Sequence, residues 1–312
     1  MASRNAIFGS APDAADASPG TYGEPPKGFR LPSETRLGAV RLQVADLSRS
    51  LEFYQGVLGF REVAREDASS SLAARGDDRP IIELHERSGA KPAPRRGRLG
   101  LFHFAILLPE RGALGSFLQH LAGIDVMVGS SDHLVSEALY LQDPDNLGIE
   151  VYADRPRSSW KRVGRELMMA TDPLDVGDVI AASRGVPWTG MPEGTTIGHV
   201  HLHVGDIPAA AAFYSDGIGF DRIVWHYPGA LFLSAGGYHH HLGTNTWAGP
   251  TATPAGPDDA RLLEWTIWLP DEDRLTALGE NLEASGIPVE KSTNALTTRD
   301  PWGTQVRAEV QP

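Results

Sequence analysis

The chain has 312 residues, of which 41% are hydrophobic and 22% charged, as is typical of globular proteins. Its formal net charge of −12 argues against a nucleic-acid or anionic-membrane partner, because phosphate groups are bound by clustered Lys and Arg. The absence of Cys excludes disulfides, thiolate metal sites and Cys nucleophiles. No apolar run approaches the roughly 20 residues of a membrane span, and no signal-like pattern opens the chain, so we expect a cytoplasmic protein.

The first elements in chain order are an arm and a β-α-β-β-β module. Residues 1–33 are rich in Ala, Ser, Gly, Pro and Asp, and we expect an extended or poorly ordered arm. Alternating apolar residues predict a strand from Leu37, and Asp46 is a candidate N-cap for a helix that Gly59 closes. Further strands are predicted near 61–66, 70–75 and 80–85.

The second module begins with a predicted strand at 101–108. A helix follows at about 110–123. Three strands are then predicted near 124–128, 136–142 and 148–153. The stretch that comes next, 155–194, is predicted to be a linker with a short helix near 172–183.

The third module repeats the first. Residues 38–60 read GAVRLQVADLSRSLEFYQGVLGF, and residues 198–220 read GHVHLHVGDIPAAAAFYSDGIGF. Such internal repetition is the signature of a duplicated architecture. Where the first copy has Ala39, the second has His199, so the two copies should differ in chemistry.

A fourth module, starting at 262–270, echoes the second. Both contain Leu-Pro and Asp-Pro, at 108–109 and 143–144 in the second module and at 269–270 and 300–301 in the fourth. The sequence therefore predicts an α+β fold of four β-α-β-β-β modules, grouped in two tandem domains at 34–154 and 195–312. A module leaves one sheet face uncovered, so modules should pair into half-barrel cups that can hold a ligand.

Six of the 11 His residues fall in two segments of the third module. Strand alternation would place His199 and His201 on one face, together with His203. In the second segment it would place His239 and His241 on one face, with His240 pointing the other way.

The second module supplies four further candidates: His103 in its first strand, Glu150 in its last, and His133 and Tyr140 shortly before Glu150. Two imidazoles and one carboxylate from separate strands suit non-haem Fe(II), because they leave coordination positions open. Zn(II) or Mn(II) would accept the same ligands. Each candidate also has a structural interpretation: a core histidine, a residue on a solvated strand face, ordinary strand packing or a polar loop. Taken together, they favour a site.

Four segments carry a resemblance to the vicinal oxygen chelate superfamily, and most closely to the two-domain bacterial catechol 2,3-dioxygenases among its extradiol ring-cleaving enzymes. They are GLFHFAILLP (100–109), DHLVSEALYLQDPDNLGIEVYADRP (132–156), GHVHLHVGDI (198–207) and GGYHHHLGTNTWAG (236–249). The resemblance runs from about residue 35 to the C-terminus, and its specific motifs lie in the second and third modules.

In this superfamily, metal ligands come from the first and last strands of two paired modules. At such positions the first module has Ala39, and the fourth has Glu264 and Arg307. The resemblance therefore implies a metal site in a cup built from the second and third modules. Its ligands would be His103, Glu150 and His199.

The resemblance further implies meta cleavage of a catechol by O2 at a mononuclear Fe(II) site, with Mn(II) as an alternative metal. It assigns acid–base catalysis to His241 and stabilisation of charge on oxygen to Tyr140 and His133. His239 and His201 are expected to contact the substrate. No nucleic-acid or membrane partner is expected, and a homo-oligomer is compatible with the repeats.

Two other functions stay open on the sequence alone. One is a glyoxalase-like metal-dependent isomerase or lyase, although the His-rich ligand set argues against it. The other is a non-catalytic binding protein for small aromatic molecules, although such a protein has no need of a full set of metal ligands.

Overall fold

The computed structural model of the chain describes residue 7 and residues 13–312. The helices in this part are α1 (Leu47–Gly56), α2 (Arg111–Gly123), α3 (Val176–Ala182), α4 (Ile207–Ala210, continued by a π-helical segment, Ala211–Gly217) and α5 (Glu272–Ala284), with a 3₁₀ turn at Arg157–Ser159. The strands are β1 (Ala15–Asp16), β2 (Arg36–Val44), β3 (Arg61–Glu66), β4 (Ser69–Ala73), β5 (Ile82–Glu86), β6 (Arg98–Leu107), β7 (Gly129–Asp132), β8 (Ser136–Gln142), β9 (Gly148–Asp154), β10 (Lys161–Val163), β11 (Glu166–Leu167), β12 (Thr196–His203), β13 (Asp221–Val224), β14 (Ala230–Ser234), β15 (Leu242–Asn245), β16 (Thr253–Pro254), β17 (Arg261–Leu269), β18 (Glu290–Ser292), β19 (Ala295–Arg299) and β20 (Gln305–Val310). None of the described helices is long and apolar enough to cross a membrane.

Two large sheets combine the four modules in pairs. One sheet has the order β13-β14-β15-β12-β6-β9-β8-β7, with β16 also pairing with β6, and joins the second and third modules. The other has the order β18-β19-β20-β17-β2-β5-β4-β3 and joins the first and fourth. Both curl into half-barrels, and the predicted α+β fold is confirmed.

The first strands of all four modules share one apolar core. Leu42, Ile106, Val200 and Ile267 come from β2, β6, β12 and β17, and each is fully buried in the largest hydrophobic cluster. At about 25 cal/mol per Å² of buried apolar surface, this shared core stabilises the two sheets as one body.

The repeated motifs of the sequence contact one another. The Tyr54 hydroxyl donates to Asp143 at 3.2 Å, and the Tyr214 hydroxyl donates to Asp300 at 2.8 Å. Each Phe-Tyr pair of a module's helix is thereby tied to the Asp-Pro turn of the following module. The two halves of the chain repeat this buried contact, which explains why both motifs recur.

The segment after α2 differs from the prediction. A strand was expected near 124–128, but β7 begins only at Gly129. The backbone N–H groups of Ile124 and Val126 instead donate to helix carbonyls, and Asp125 has a φ of 58°. Because these groups close the C-terminus of α2, they are not free to pair with a strand.

The predicted arm and linker meet in a small sheet of their own. β1 pairs with β10, which pairs with β11, so residues 15–16 lie against residues 161–167. Tyr22 and Leu31 are also buried. Residues 1–6 and 8–12 of the predicted arm lie outside the described residues. The linker helix α3 begins at Val176, later than expected, because the side chain of Asp175 accepts from Asp178 N and caps it.

Candidate metal centre

Three side chains from three neighbouring strands meet in the sheet of the second and third modules. The Oε2 atom of Glu150 lies 3.0 Å from Nε2 of His103 and 3.2 Å from Nε2 of His199, and the two Nε2 atoms are 3.3 Å apart. All three residues are at most 5% exposed. This cluster is a group whose ligand atoms could hold a metal ion.

A bulge in β12 positions His199. In the antiparallel pairing with β6, Ile197 faces Ile106 and His199 faces Ala105, so Gly198 is an extra residue. A Cβ atom on Gly198 would lie 1.8 Å from the Tyr152 hydroxyl. Glycine is therefore required at this position if Tyr152 is to stay in place.

A second irregularity, in β6, lies on the other side of the cluster. His201 faces His103 and Leu202 faces Leu101, which leaves Phe102 as the extra residue. Both Phe102 and His103 consequently line the pocket, although alternation would have separated them.

The protonation states of the cluster suit metal binding. Burial lowers the pKa of His199 to about 4, so its imidazole is neutral at pH 7. Burial alone would raise the pKa of Glu150, but His199 and His103 hold it well below its ordinary value. A neutral imidazole and a carboxylate are the forms that bind cations.

Comparisons with known proteins identify the superfamily of the chain. A family model described as the glyoxalase/bleomycin resistance protein/dioxygenase superfamily matches residues 36–151 and 196–307. The chain belongs to this superfamily. A catechol-2,3-dioxygenase of Bacillus subtilis (strain 168) is 43% identical over 272 residues, which are 86% of this chain and 94% of that protein.

Solved structures show the superfamily's fold. A proposed dioxygenase from Bacillus subtilis has a TM-score of 0.61 at 15% identity and covers 91% of this chain and 87% of its own. Glyoxalase I from Zea mays has a TM-score of 0.54 at 15% identity, covering 89% of this chain and 92% of its own. At such low identity these similarities establish the fold alone.

In this member of the superfamily, a small pocket of about 30 Å³ lies over the cluster. Most of its wall is aromatic or imidazole. Besides the three cluster residues, its lining includes Phe102, His133, Tyr140, His201, Tyr227, Phe232, His240 and Trp247. The sequence had pointed to His133, Tyr140 and His201, but not to the others.

His133 and Tyr140 form a bonded pair at the pocket. Nδ1 of His133 lies 2.6 Å from the carbonyl oxygen of Ala170, to which it must donate, and its Nε2 lies 2.5 Å from the Tyr140 hydroxyl. A neutral His133 therefore accepts at Nε2 from Tyr140. Burial raises the pKa of Tyr140 well above its ordinary value, and nearby Glu150 raises it further, so the hydroxyl keeps its proton.

His201 lines the pocket with an unpaired nitrogen. Its Nε2 is buried and has no hydrogen-bond partner among the described residues. Gly243 on the neighbouring strand makes room for the ring, since a Cβ there would lie 2.9 Å from it. His203, further along β12, instead donates from Nδ1 to Asn245 at 2.7 Å.

The structure places His241 away from the pocket. Its Nδ1 accepts from the backbone N–H of Ala235 at 3.2 Å and lies 3.0 Å from the Ser234 hydroxyl. Its ring stacks on Phe220, outside the pocket. His240 lines the pocket in its place, with its ring 4.0 Å from that of His199.

The physical reason is local backbone geometry. β15 begins only at Leu242, and Gly236 and Gly237 have φ values of 61° and 63°. The three histidines therefore lie between a turn of left-handed glycines and the start of β15. The two-residue alternation of a strand does not apply to this segment. An error of one residue exchanges the two faces.

His239 does not line the pocket either, and it hydrogen-bonds to His240. Its Nε2 donates to Oδ1 of Asp154 at 2.9 Å, so its Nδ1 is the acceptor of the 2.7 Å bond to Nδ1 of His240. The proton of His240 then sits on Nδ1. Its Nε2 is then the unprotonated nitrogen.

One pocket wall comes from the predicted linker. Met169, Ala170 and Thr171 line the pocket, and Thr171 is hydrogen-bonded to Tyr227 at 3.1 Å. This wall had no periodic or motif signal in the sequence. Its contacts with the third module join residues more than 50 positions apart, which local patterns do not reveal.

Proposed function

We propose that the chain is an extradiol dioxygenase that cleaves a catechol at an Fe(II) ion held by His103, Glu150 and His199. Both atoms of O2 enter the product, and the ring carbon–carbon bond beside the diol breaks, giving a product of the 2-hydroxymuconic semialdehyde type. The observation that carries this proposal is the buried cluster of two imidazoles and one carboxylate, in a chain 43% identical to a catechol-2,3-dioxygenase.

The spacing of the cluster supports a metal. Two metal–ligand bonds of about 2.1 Å at a right angle put the ligand atoms roughly 3.0 Å apart. The three separations here are 3.0, 3.2 and 3.3 Å. A set of two His and one carboxylate is the common ligand set of non-haem Fe(II) oxygenases, and it leaves positions open for further ligands.

An Fe(II) ion held by His103, Glu150 and His199 would supply Lewis acidity, which would lower the pKa of the diol. The remaining steps belong to side chains. The unprotonated Nε2 of His240 is the general base in our proposal, and it takes a proton from a diol hydroxyl. The Tyr140 hydroxyl can stabilise charge developing on oxygen if its single proton turns from His133 Nε2 to that oxygen.

His240 takes the role that the sequence had suggested for His241. Burial lowers the pKa of His240 well below its ordinary value, and the neighbouring His199 adds to the effect. The ring is therefore neutral at pH 7 and able to accept a proton. His239 and Asp154 act on the reaction only through His240, so they are positioning residues.

The test separates the metal ligand from the base. The protein is loaded with Fe(II) without oxygen and mixed with catechol in air, while oxygen uptake and the yellow ring-fission product are followed. We expect one O2 consumed per catechol. His199→Ala should lose the iron, whereas His240→Ala should keep it and lose turnover by about 10²–10⁴-fold.

His85→Ala is the matched control, because His85 lies in the other sheet and is 36% exposed. It should retain both iron and rate. Iron binding without oxygen uptake would contradict the dioxygenase and favour a metal-dependent isomerase. Equal iron loss in His199→Ala and His240→Ala would show that His240 is a ligand and not a base.

A further inference from the structure

A larger cavity lies next to the pocket. Its volume is about 510 Å³, within the range of 300–1,000 Å³ that is common for small-molecule sites. Phe102, His103 and Tyr140 line both spaces, so these three side chains form the boundary between them. The cavity is therefore directly adjacent to the pocket over the metal cluster.

The pocket over the cluster is too small for an aromatic ring. A volume of about 30 Å³ holds one or two water molecules, which is room for the diol oxygens and little more. A ring bound through its diol must therefore extend past the boundary side chains. Phe102 is half-buried and sits at an irregularity of β6, and its ring forms part of that boundary.

The inner wall of the cavity is apolar. The aliphatic side chains that line it come from β6, β8 and β9 and the turn between β8 and β9. They are Leu99, Leu101, Leu141, Leu147 and Ile149. A hydrocarbon substituent on the ring would be removed from water here, which favours binding by about 0.8 kcal/mol per buried CH₂ group.

Three arginines also line the cavity, together with the carboxylate of Asp259. Arg98 is paired with Asp259 at 3.0 Å, and Arg95 is exposed. The Nε atom of Arg261, at the start of β17, is buried and has no hydrogen-bond partner among the described residues. A buried donor without an acceptor lowers the stability of the fold. An anion bound beside Arg261 would accept from this group and so would bind favourably.

We infer that this cavity binds the ring substituent of the substrate and selects an apolar chain ending in a carboxylate, which Arg261 pairs. The inference rests on the proposed function, because the diol must lie at the cluster for the substituent to enter the cavity. Arg is suited to this role because its planar guanidinium matches a carboxylate with two hydrogen bonds.

Three probes test the inference: catechol with a butyl chain on the ring, and the same chain ending in a carboxylate or in a carboxamide. We expect kcat/KM for the carboxylate to exceed that for the carboxamide by about 10- to 100-fold, the range for a hydrogen bond to a charged group. Arg261→Gln should reduce this ratio to about one. Arg261→Lys should keep part of it.

Arg96→Gln is the matched control, since Arg96 is an exposed residue of the loop before β6 that does not line the cavity. It should leave the carboxylate-to-carboxamide ratio unchanged. The inference is overturned by a ratio near one in the unaltered protein, by an unchanged ratio in Arg261→Gln, or by an equal fall in Arg96→Gln.

Failure of the proposed function can be distinguished from failure of the inference about the cavity. Oxygen uptake with unsubstituted catechol reports on the dioxygenase alone and does not involve Arg261. If no diol is cleaved, calorimetric titration of the carboxylate and carboxamide probes without oxygen still tests the cavity. Tighter binding of the carboxylate that disappears in Arg261→Gln would support the cavity assignment, and equal affinities would overturn it.

Discussion

Replacing Asp154 by Asn tests whether His240 is held in one tautomer. The carboxylate of Asp154 can only accept, so His239 donates to it from Nε2. The Nδ1 atom of His239 must then accept from Nδ1 of His240, and His240 Nε2 carries no proton. The amide group of Asn can instead donate to His239. This would favour the opposite tautomers and put a proton on the nitrogen that the proposed mechanism needs free.

The magnitude follows from the contact. A hydrogen bond to a charged group contributes about 1.5–3 kcal/mol. Because the Asp154 side chain is 30% exposed, water screens the bond and about 1–2 kcal/mol is the appropriate range. At 1.4 kcal/mol per factor of ten, the reactive tautomer falls by roughly 5- to 30-fold, and kcat for catechol should fall by the same factor.

The assay is steady-state oxygen uptake with catechol, together with iron content and KM. We expect kcat alone to fall, since the cluster and pocket walls are unchanged. Tyr238→Phe is the matched control, because it removes the other hydrogen bond to Oδ1 of Asp154, at 3.1 Å, and keeps the carboxylate that accepts from His239. An unchanged kcat in Asp154→Asn, or a parallel loss of iron, would refute the positioning role.

Two further predictions concern stability. Gly198→Ala should lower the free energy of unfolding by about 1–3 kcal/mol in urea titrations, because its Cβ would overlap the Tyr152 hydroxyl; no loss would show that the bulge can relax. Burial raises the pKa of Asp143 from 3.8 to about 7. Between these pH values the folded state holds a proton that the unfolded state releases, so the free energy of unfolding should fall as pH rises from about 4 to about 7. The fall is up to about 4 kcal/mol, and Asp143→Asn should remove it; the same pH slope in the variant would contradict the assignment to Asp143.

The fold was predictable from the sequence because its repeats reflect physical contacts. The Phe-Tyr and Asp-Pro motifs recur since Tyr54 bonds Asp143 and Tyr214 bonds Asp300. Alternating apolar residues also located the first strand of each module, where one register alone buries the core. Patterns set by burial are thus readable without a structure.

The finer parts of the site were not predictable, because they depend on breaks in the periodicity. The resemblance assigned the acid–base role to His241, and alternation placed His240 on the opposite face, whereas it is His240 that lines the pocket. Alternation would also have separated Phe102 from His103, which an irregular register brings to the same pocket. Glycine pairs such as Gly236-Gly237 are a sequence signal for such breaks, and they mark where alternation should not be extended.

The two half-barrels show how one backbone supports two different surfaces. Gly38 corresponds to Gly198, and a Cβ there would lie 2.7 Å from Trp268, so both copies need glycine for the same steric reason. Arg41 corresponds to His201, and it forms salt bridges with Glu83 at 2.9 Å and Glu264 at 3.7 Å.

In the sheet of the first and fourth modules, the positive charge of Arg41 therefore compensates the negative charges of Glu83 and Glu264 on the two neighbouring strands. A cation site would need its acidic groups unpaired, and there an arginine already neutralises them. In the sheet of the second and third modules, His199 and His201 take the places of Ala39 and Arg41. Glu150 there lies beside the imidazoles of His103 and His199 and not beside an arginine. The backbone constraint is therefore shared by both copies, whereas a few side chains on the concave face decide which cup can hold a metal.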